Sequence, residues 1–214
     1  MNRKLVTIAA TLGIAGMVPA AIAAMPPASA WEIGPWVRGK NYSVGMPATP
    51  RDGRGGSLVV DFPRAGQGEW DAMTTGITSL DGVDTITVRF RIDAAPGTRF
   101  VAVETPNEPA TVSIYFQRAG DNWTGRGAYG SYRWYAGPSG IANLAPGEHT
   151  IRVRMDDRWG SVDGKPSETR PREFADAKSN AATLGLAFGS NSRRSHGVAA
   201  TGNATFTLLS VEFD

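Results

Sequence analysis

Apolar and polar residues alternate with period two along much of this chain, which places successive side chains on opposite faces of a β-sheet. In "DTITVRFRID", Ile86, Val88, Phe90 and Ile92 form one face, and Thr85, Thr87, Arg89 and Arg91 the other. In "TVSIYFQ", Val112, Ile114 and Phe116 oppose Ser113, Tyr115 and Gln117. "HTIRVRMD" sets Ile151, Val153 and Met155 against Arg152 and Arg154, and "TLGLAF" aligns Leu184, Leu186 and Phe188. Further strands are expected near residues 57–62 and 98–104. In "ATFTLLSVEF" the apolar phase passes from Phe206 and Leu208 to Leu209, Val211 and Phe213, and a bulge at Leu208-Leu209 would restore register.

Turn signals separate these runs, among them Asp81-Gly82, Ala95-Pro96-Gly97, Gly137-Pro138-Ser139-Gly140 and Ala145-Pro146-Gly147. Only "PREFADAKSNAA", opening at Pro171, has helical character, from its Pro start and Ala-rich composition. Many short strands with one short helix predict an all-β fold, a two-sheet antiparallel β-sandwich of jelly-roll or lectin-like type. An open barrel satisfies the same alternation.

The N-terminus reads differently. Asn2-Arg3-Lys4 precedes an uncharged apolar run from Leu5 to Val18, followed by small residues ending Ala28-Ser29-Ala30. This is the pattern of a secretory signal peptide over residues 1–30, leaving one domain over 31–214. Cleavage after Ala23 or Ala24 is the competing position. Pro19 and the weakly apolar Ala and Thr residues argue against a membrane-spanning helix in this segment, so no transmembrane segment is expected after cleavage. The expected location is periplasmic or extracellular.

Removing residues 1–30 takes away Arg3 and Lys4 and equalises acidic and basic groups, and no lysine-rich run exists. Such a neutral surface lacks the cationic excess that nucleic-acid backbones require, so no nucleic-acid partner is expected. The chain has no cysteine, so its stability rests on a core and not on disulfides.

Seven of the chain's nineteen aromatic residues fall within "YFQRAGDNWTGRGAYGSYRWY", residues 115–135. Alternation puts Tyr115 and Gln117 opposite the core-facing Ile114 and Phe116. In "SYRWYAG", Tyr132 and Trp134 share one face, and Arg133 and Tyr135 the other. Trp123 and Tyr129 lie in a glycine-rich connection, and Trp159 lies in "DDRWGSVDGKP", where Asp156, Asp157 and Asp163 also sit. Exposed indole and phenol rings suit the apolar C–H faces of sugars, with nearby polar groups fixing hydroxyls. The candidate ligand-binding set is therefore Trp123, Trp134, Tyr132, Tyr135, Tyr115, Gln117, Asn122, Arg133, Trp159 and His196, the last in the loop "RRSHGVAATG".

The aromatic stretch, with "GEHTIRVRMDDRWGSVDGK" and "TLGLAFGSNSRRSHGVAATGNATFTLLSVEF", resembles exported bacterial proteins of unassigned role similar to jelly-roll carbohydrate-binding modules, over roughly residues 80–214. That resemblance implies a non-catalytic sandwich whose partner is a polysaccharide or glycan. It also implies a structural calcium near the chain ends, for which Glu32 and Glu212 are the candidate ligands.

Two other classes remain open. "YFQRAGDNW" resembles the "YFKAG" strand of sandwich-fold alginate lyases, which implies a polysaccharide lyase using Tyr115 or His196 with an arginine; the Gln-x-His partner motif is missing. Sandwich glycoside hydrolases place alternating carboxylates on one strand, and no Glu-x-Asp-x-Glu run is present. The third reading is a structural envelope protein without a small ligand.

Overall fold

The computed structural model describes residues 25–214. Its strands are β1 (Trp31–Gly34), β2 (Trp36–Val37), β3 (Lys40–Asn41), β4 (Arg51–Asp52), β5 (Leu58–Asp61), β6 (Ala72–Gly76), β7 (Thr85–Ala94) and β8 (Phe100–Ala102). They continue as β9 (Thr111–Arg118), β10 (Arg133–Ala136), β11 (Ile141–Asn143), β12 (Gly147–Arg154), β13 (Trp159–Ser161), β14 (Ala181–Gly189), β15 (Val198–Ala200) and β16 (Ala204–Phe213). The α-helix α1 spans Pro171–Ser179, as the Pro start and Ala-rich pattern predict.

Two antiparallel sheets carry the fold. The first has the order β1-β6-β14-β9-β10-β13, with β11 also paired to β9; the second has the order β12-β7-β16-β5-β4. This is the expected two-sheet sandwich. Strand β7 buries Ile86, Val88, Phe90 and Ile92 while Arg89, Arg91 and Asp93 stay exposed. In β16 the pairing passes from Leu208 opposite Phe90 to Ser210 opposite Arg89, so Leu209 is the extra, bulged residue. The bulge returns Val211 to the core, but Phe213 at the strand end is exposed, contrary to the phase expected from alternation.

The inner faces meet in one core. At one end the Trp70 and Phe188 rings stack with centroids 3.7 Å apart, and Phe62 and Phe206 pack edge-on against Trp70. At the other end Phe174 of α1 packs against Trp134, Trp159 and Phe116. Trp134 and Trp159 are fully buried, which corrects their expected place in a binding site. Their indole N–H groups are satisfied internally, by Ser131 O and Arg154 O respectively.

The packed structure also begins before Trp31. Ala28 is a core residue, its N–H donates to Asp52 Oδ1, the Trp31 indole donates to Pro26 O, and Thr75 Oγ1 donates to Ala30 O. Residues 26–30 therefore pack against the sandwich.

Truncating a core ring and an exposed one should separate cleanly. Trp70→Ala is expected to cost about 3–5 kcal/mol in chemical denaturation. Trp36→Ala, at a ring 43% exposed, should stay within about 0.5 kcal/mol.

Candidate functional site

The outer face of the first sheet is not a bare solvent face. Strand register places Glu32, Thr74, Gly185, Tyr115 and Tyr135 in one row across β1, β6, β14, β9 and β10. Thr183, Gln117 and Arg133 form the row on one side, and Ala72, Ala187 and Ser113 the row on the other. Small residues make this floor shallow enough for rings to lie on it. A Cβ at Gly185 would stand 2.6 Å from Tyr115 Cε1 and 2.8 Å from Met73 O, so the Tyr115 ring needs glycine there. Tyr115 stacks on Tyr135 at 5.4 Å, and Trp123 meets Tyr115 edge-on at 6.1 Å.

The loop between β9 and β10 closes over this row through Asp121. Its Oδ2 accepts hydrogen bonds from Gln117 Nε2 at 2.7 Å and from Arg133 Nε at 2.9 Å, and its Oδ1 accepts from the Trp123 N–H at 3.2 Å. The Arg133 and Asp121 side chains are only 5% and 2% exposed. Trp123 takes a left-handed backbone, with φ 67°, and lays its ring over the Arg133 guanidinium at 4.1 Å. Burial works against the charge of Arg133, but Tyr135 and Asp121 more than offset it and raise its pKa.

Beside this cluster opens a cleft of about 950 Å³. Trp123, Tyr135 and Tyr42 give it aromatic surface, and Arg133, Arg158, Arg193 and Arg194 give it cationic groups. Arg194 Nη1 donates to Ala136 O at 2.5 Å, and burial lowers its pKa. Glu69, Asp71, Glu104 and His196 form an acidic side. Glu69 and Asp71 flank Trp70, whose ring points into the core, so both carboxylates lie on the other side of the extended segment. Asp71 is 6% exposed and its Oδ1 meets no donor. Burial first, then the neighbouring Glu69 and Glu104, push its carboxyl up to about 8. Glu104 Oε1 lies 3.0 Å from His196 Nδ1 at the rim.

Of the residues singled out in the sequence, Trp123, Tyr135, Arg133 and His196 line the cleft. Tyr115 and Gln117 lie beneath it, fully or nearly buried. The phenol of Tyr115 has no hydrogen-bond partner, and burial followed by Tyr135 drives its pKa further up, the wrong direction for a lyase base. Asn122 is exposed and caps its own turn by accepting from Thr124. Tyr132 stands outside the cleft, packed against Tyr129 and beneath the Arg118 guanidinium at 4.5 Å. Trp134 and Trp159 are core, so the tryptophans do not converge on one cleft.

Glu32 and Glu212, the two candidate calcium ligands, do not come together. Glu32 lies between the core residues Trp31 and Ile33 and faces outward from the first sheet, whereas Glu212, beside buried Val211, faces outward from the second. The core separates them, and among the described residues no three acidic, histidine or cysteine side chains gather to hold a metal. Tyr42, Glu69, Asp71 and Glu104 line the cleft without standing out in the sequence. The Glu69-Trp70-Asp71 alternation is the one local signal among them, and it is shorter than the glycoside hydrolase run.

No protein-family model matches the sequence, and no curated protein matches it. Solved structures similar to the chain include a non-crystalline cellulose-specific carbohydrate-binding module of family 28, at 12% identity and TM-score 0.48, with 87% of each chain covered. The xyloglucanase domain of a type three effector from Sinorhizobium fredii, solved with cellobiose, matches at 11% identity and TM-score 0.36, covering 81% of this chain and 91% of that one. An endo-acting O-glycanase of human gut bacteria that initiates mucin breakdown matches at 12% identity and TM-score 0.39, covering 89% and 94%.

Two measurements test the site's electrostatics. Asp121→Ala leaves Arg133 buried without its carboxylate and should cost about 3–5 kcal/mol, whereas Asp61→Ala breaks the exposed pair with Arg51 for about 0–1 kcal/mol. The raised carboxyl of Asp71 has the opposite pH signature to an ion-paired acid. The unfolded chain releases this proton from about pH 4 upward while the folded chain keeps it to about 8, so stability falls as pH rises between them. Asp71→Asn should raise the melting temperature at pH 8 more than at pH 4.

Proposed function

We propose that this chain is an exported protein whose cleft on the first sheet binds polysaccharide. The observation that carries the reading is a cleft of about 950 Å³ in which the Trp123 and Tyr135 rings adjoin arginines and carboxylates. Aromatic surface takes the C–H face of a sugar, and charged groups of both signs accept from or donate to its hydroxyls. The cleft also speaks against a purely structural envelope protein, which would present a closed, flat surface.

Export is supported by the basic, apolar and small-residue order of residues 1–30. Packing of Ala28 and the hydrogen bonds to Pro26 and Ala30 favour cleavage after Ala24 over cleavage after Ala30. The mass of the secreted product should therefore correspond to a chain beginning at Met25, and a chain beginning at Trp31 would overturn this cleavage position. The proposed destination is the periplasm or the medium.

Binding is tested by affinity electrophoresis in gels containing xyloglucan, xylan, mixed-linkage β-glucan, polygalacturonate or solubilised cellulose. Trp123→Ala is expected to weaken retardation by at least about tenfold in affinity, or about 1.4 kcal/mol. Trp36→Ala serves as the surface control. Unretarded migration of the wild type in every gel would overturn the proposal.

A further inference from the structure

The cleft has one arginine that the protein neutralises and three that it does not. Arg133 is paired with Asp121 in the interior. Among the described residues, Arg158, Arg193 and Arg194 form no ion pair, although all three line the cleft. Arg158 and Arg193 are exposed, where water solvates their charge. Arg194 is only partly exposed, and burial lowers its pKa against an opposing effect of Tyr135, with no carboxylate contributing. Taking a charge out of water without a counter-charge is costly, so such a group is poised to receive an anion from outside.

The fold gathers these residues at the C-terminal end of β10. Arg194 Nη1 donates to Ala136 O, and its guanidinium carbon stands 5.9 Å from the Tyr135 ring centre. Trp159 of β13 pairs with Ala136, and a Cβ on Gly137 would meet Arg158 O, so the chain at Arg158 packs against the same strand end. Arg193 and Arg194 sit on a loop that is tied down by its own groups. The Ser190 N–H donates to Arg193 O, the Arg193 N–H donates to Ser190 Oγ, and Glu108 accepts from the N–H and hydroxyl of Ser192. Glu108 thus serves the loop from outside the cleft.

The Nε and Nη2 donors of Arg194 meet no acceptor among the described residues. They form the side edge of the guanidinium, whose two parallel N–H groups match the two oxygens of a carboxylate. A neutral glucan would offer them hydroxyls alone, whereas hydrogen bonds to an ionised group are roughly twice as strong.

We infer that the polysaccharide is a polyuronate, whose carboxylates are held by Arg194 with Arg158 and Arg193 while a sugar ring lies on Trp123. The inference rests on the polysaccharide reading above and names the class of ligand. The acidic groups of the cleft oppose a polyanion less than their number suggests. Glu104 faces His196, Asp71 keeps its proton to about pH 8, and Glu69 is the carboxylate left against three guanidinium groups.

The test is affinity electrophoresis of the secreted chain in polygalacturonate and alginate, each beside its esterified, uncharged form, with dextran sulfate as the sulfated arm and xyloglucan as a neutral glucan. Wild type should be retarded by a polyuronate and not by its ester. Arg194→Gln should weaken that retardation about 10–100-fold in affinity, the range for a hydrogen bond to a charged group. Arg194→Lys, which keeps the charge and loses the fork, should not restore wild-type affinity. Arg152→Gln removes the same charge from an exposed position on β12 of the second sheet and should change nothing. Retardation by xyloglucan with none by either polyuronate, equal retardation by the esters, stronger retardation by dextran sulfate, or equal losses in Arg194→Gln and Arg152→Gln would each overturn the polyuronate assignment and leave polysaccharide binding standing. Unretarded migration in all of these gels and in the five named above would overturn both. If a circular dichroism melt shows that Arg194→Gln has lost its fold, the exposed Arg158→Gln decides: weaker retardation supports the assignment, and unchanged retardation overturns it.

Discussion

Strand β9 is buried on both of its faces, and the site is a consequence of that constraint. Seven of its eight residues are buried, although a strand in an antiparallel sandwich ordinarily gives one face to water. The inner face follows the usual rule, with Val112, Ile114 and Phe116 in the core. The outer face presents Ser113, Tyr115 and Gln117, whose polar atoms are costly to bury without partners. Asp121 supplies one for Gln117 and at the same time holds Arg133 of the neighbouring strand, so one carboxylate anchors the β9–β10 loop over the sheet. Tyr115 is covered by Tyr135 and Trp123, and its hydroxyl is left without a partner.

That covering layer turns a sheet face into a cleft with two chemically different sides. At Arg133, charge is neutralised within the protein, because Arg133 and Asp121 are paired out of water beneath Trp123. Such a pair fixes geometry more than it stabilises, since the desolvation of two ions offsets much of their attraction. On the acidic side, carboxyl groups crowd one another, and Asp71 meets the resulting penalty by keeping its proton. The cleft therefore holds a fixed cation next to an aromatic ring and a neutral acid next to ionisable neighbours.

A cysteine-free chain relies on its core, and here rings from both sheets close the ends of the sandwich around Trp70 and Phe174. The described residues contain no helix long and apolar enough to cross a membrane.

Much of the sandwich was legible in the sequence because a period of two is a local property of a strand. The inward positions of β7, β9, β12 and β14, the helix at Pro171 and the bulge at Leu209 all follow from neighbours a few residues apart. The same alternation put Tyr115 on the outer face and Arg133 with Tyr135 on one side of β10. It did not say that the outer face would be covered, so it left Trp134 and Trp159 as binding candidates when both are core. Nor did it join Asp121 to Arg133 or show that Glu32 and Glu212 face away from opposite sheets. Glu69 and Asp71 were two ordinary acidic residues around a tryptophan until the β15 segment brought Gly197 against them, with Glu104 nearby. Which face of a strand a residue occupies is decided by its sequence neighbours; what covers that face, and which charges meet there, is decided by loops that only tertiary packing brings together.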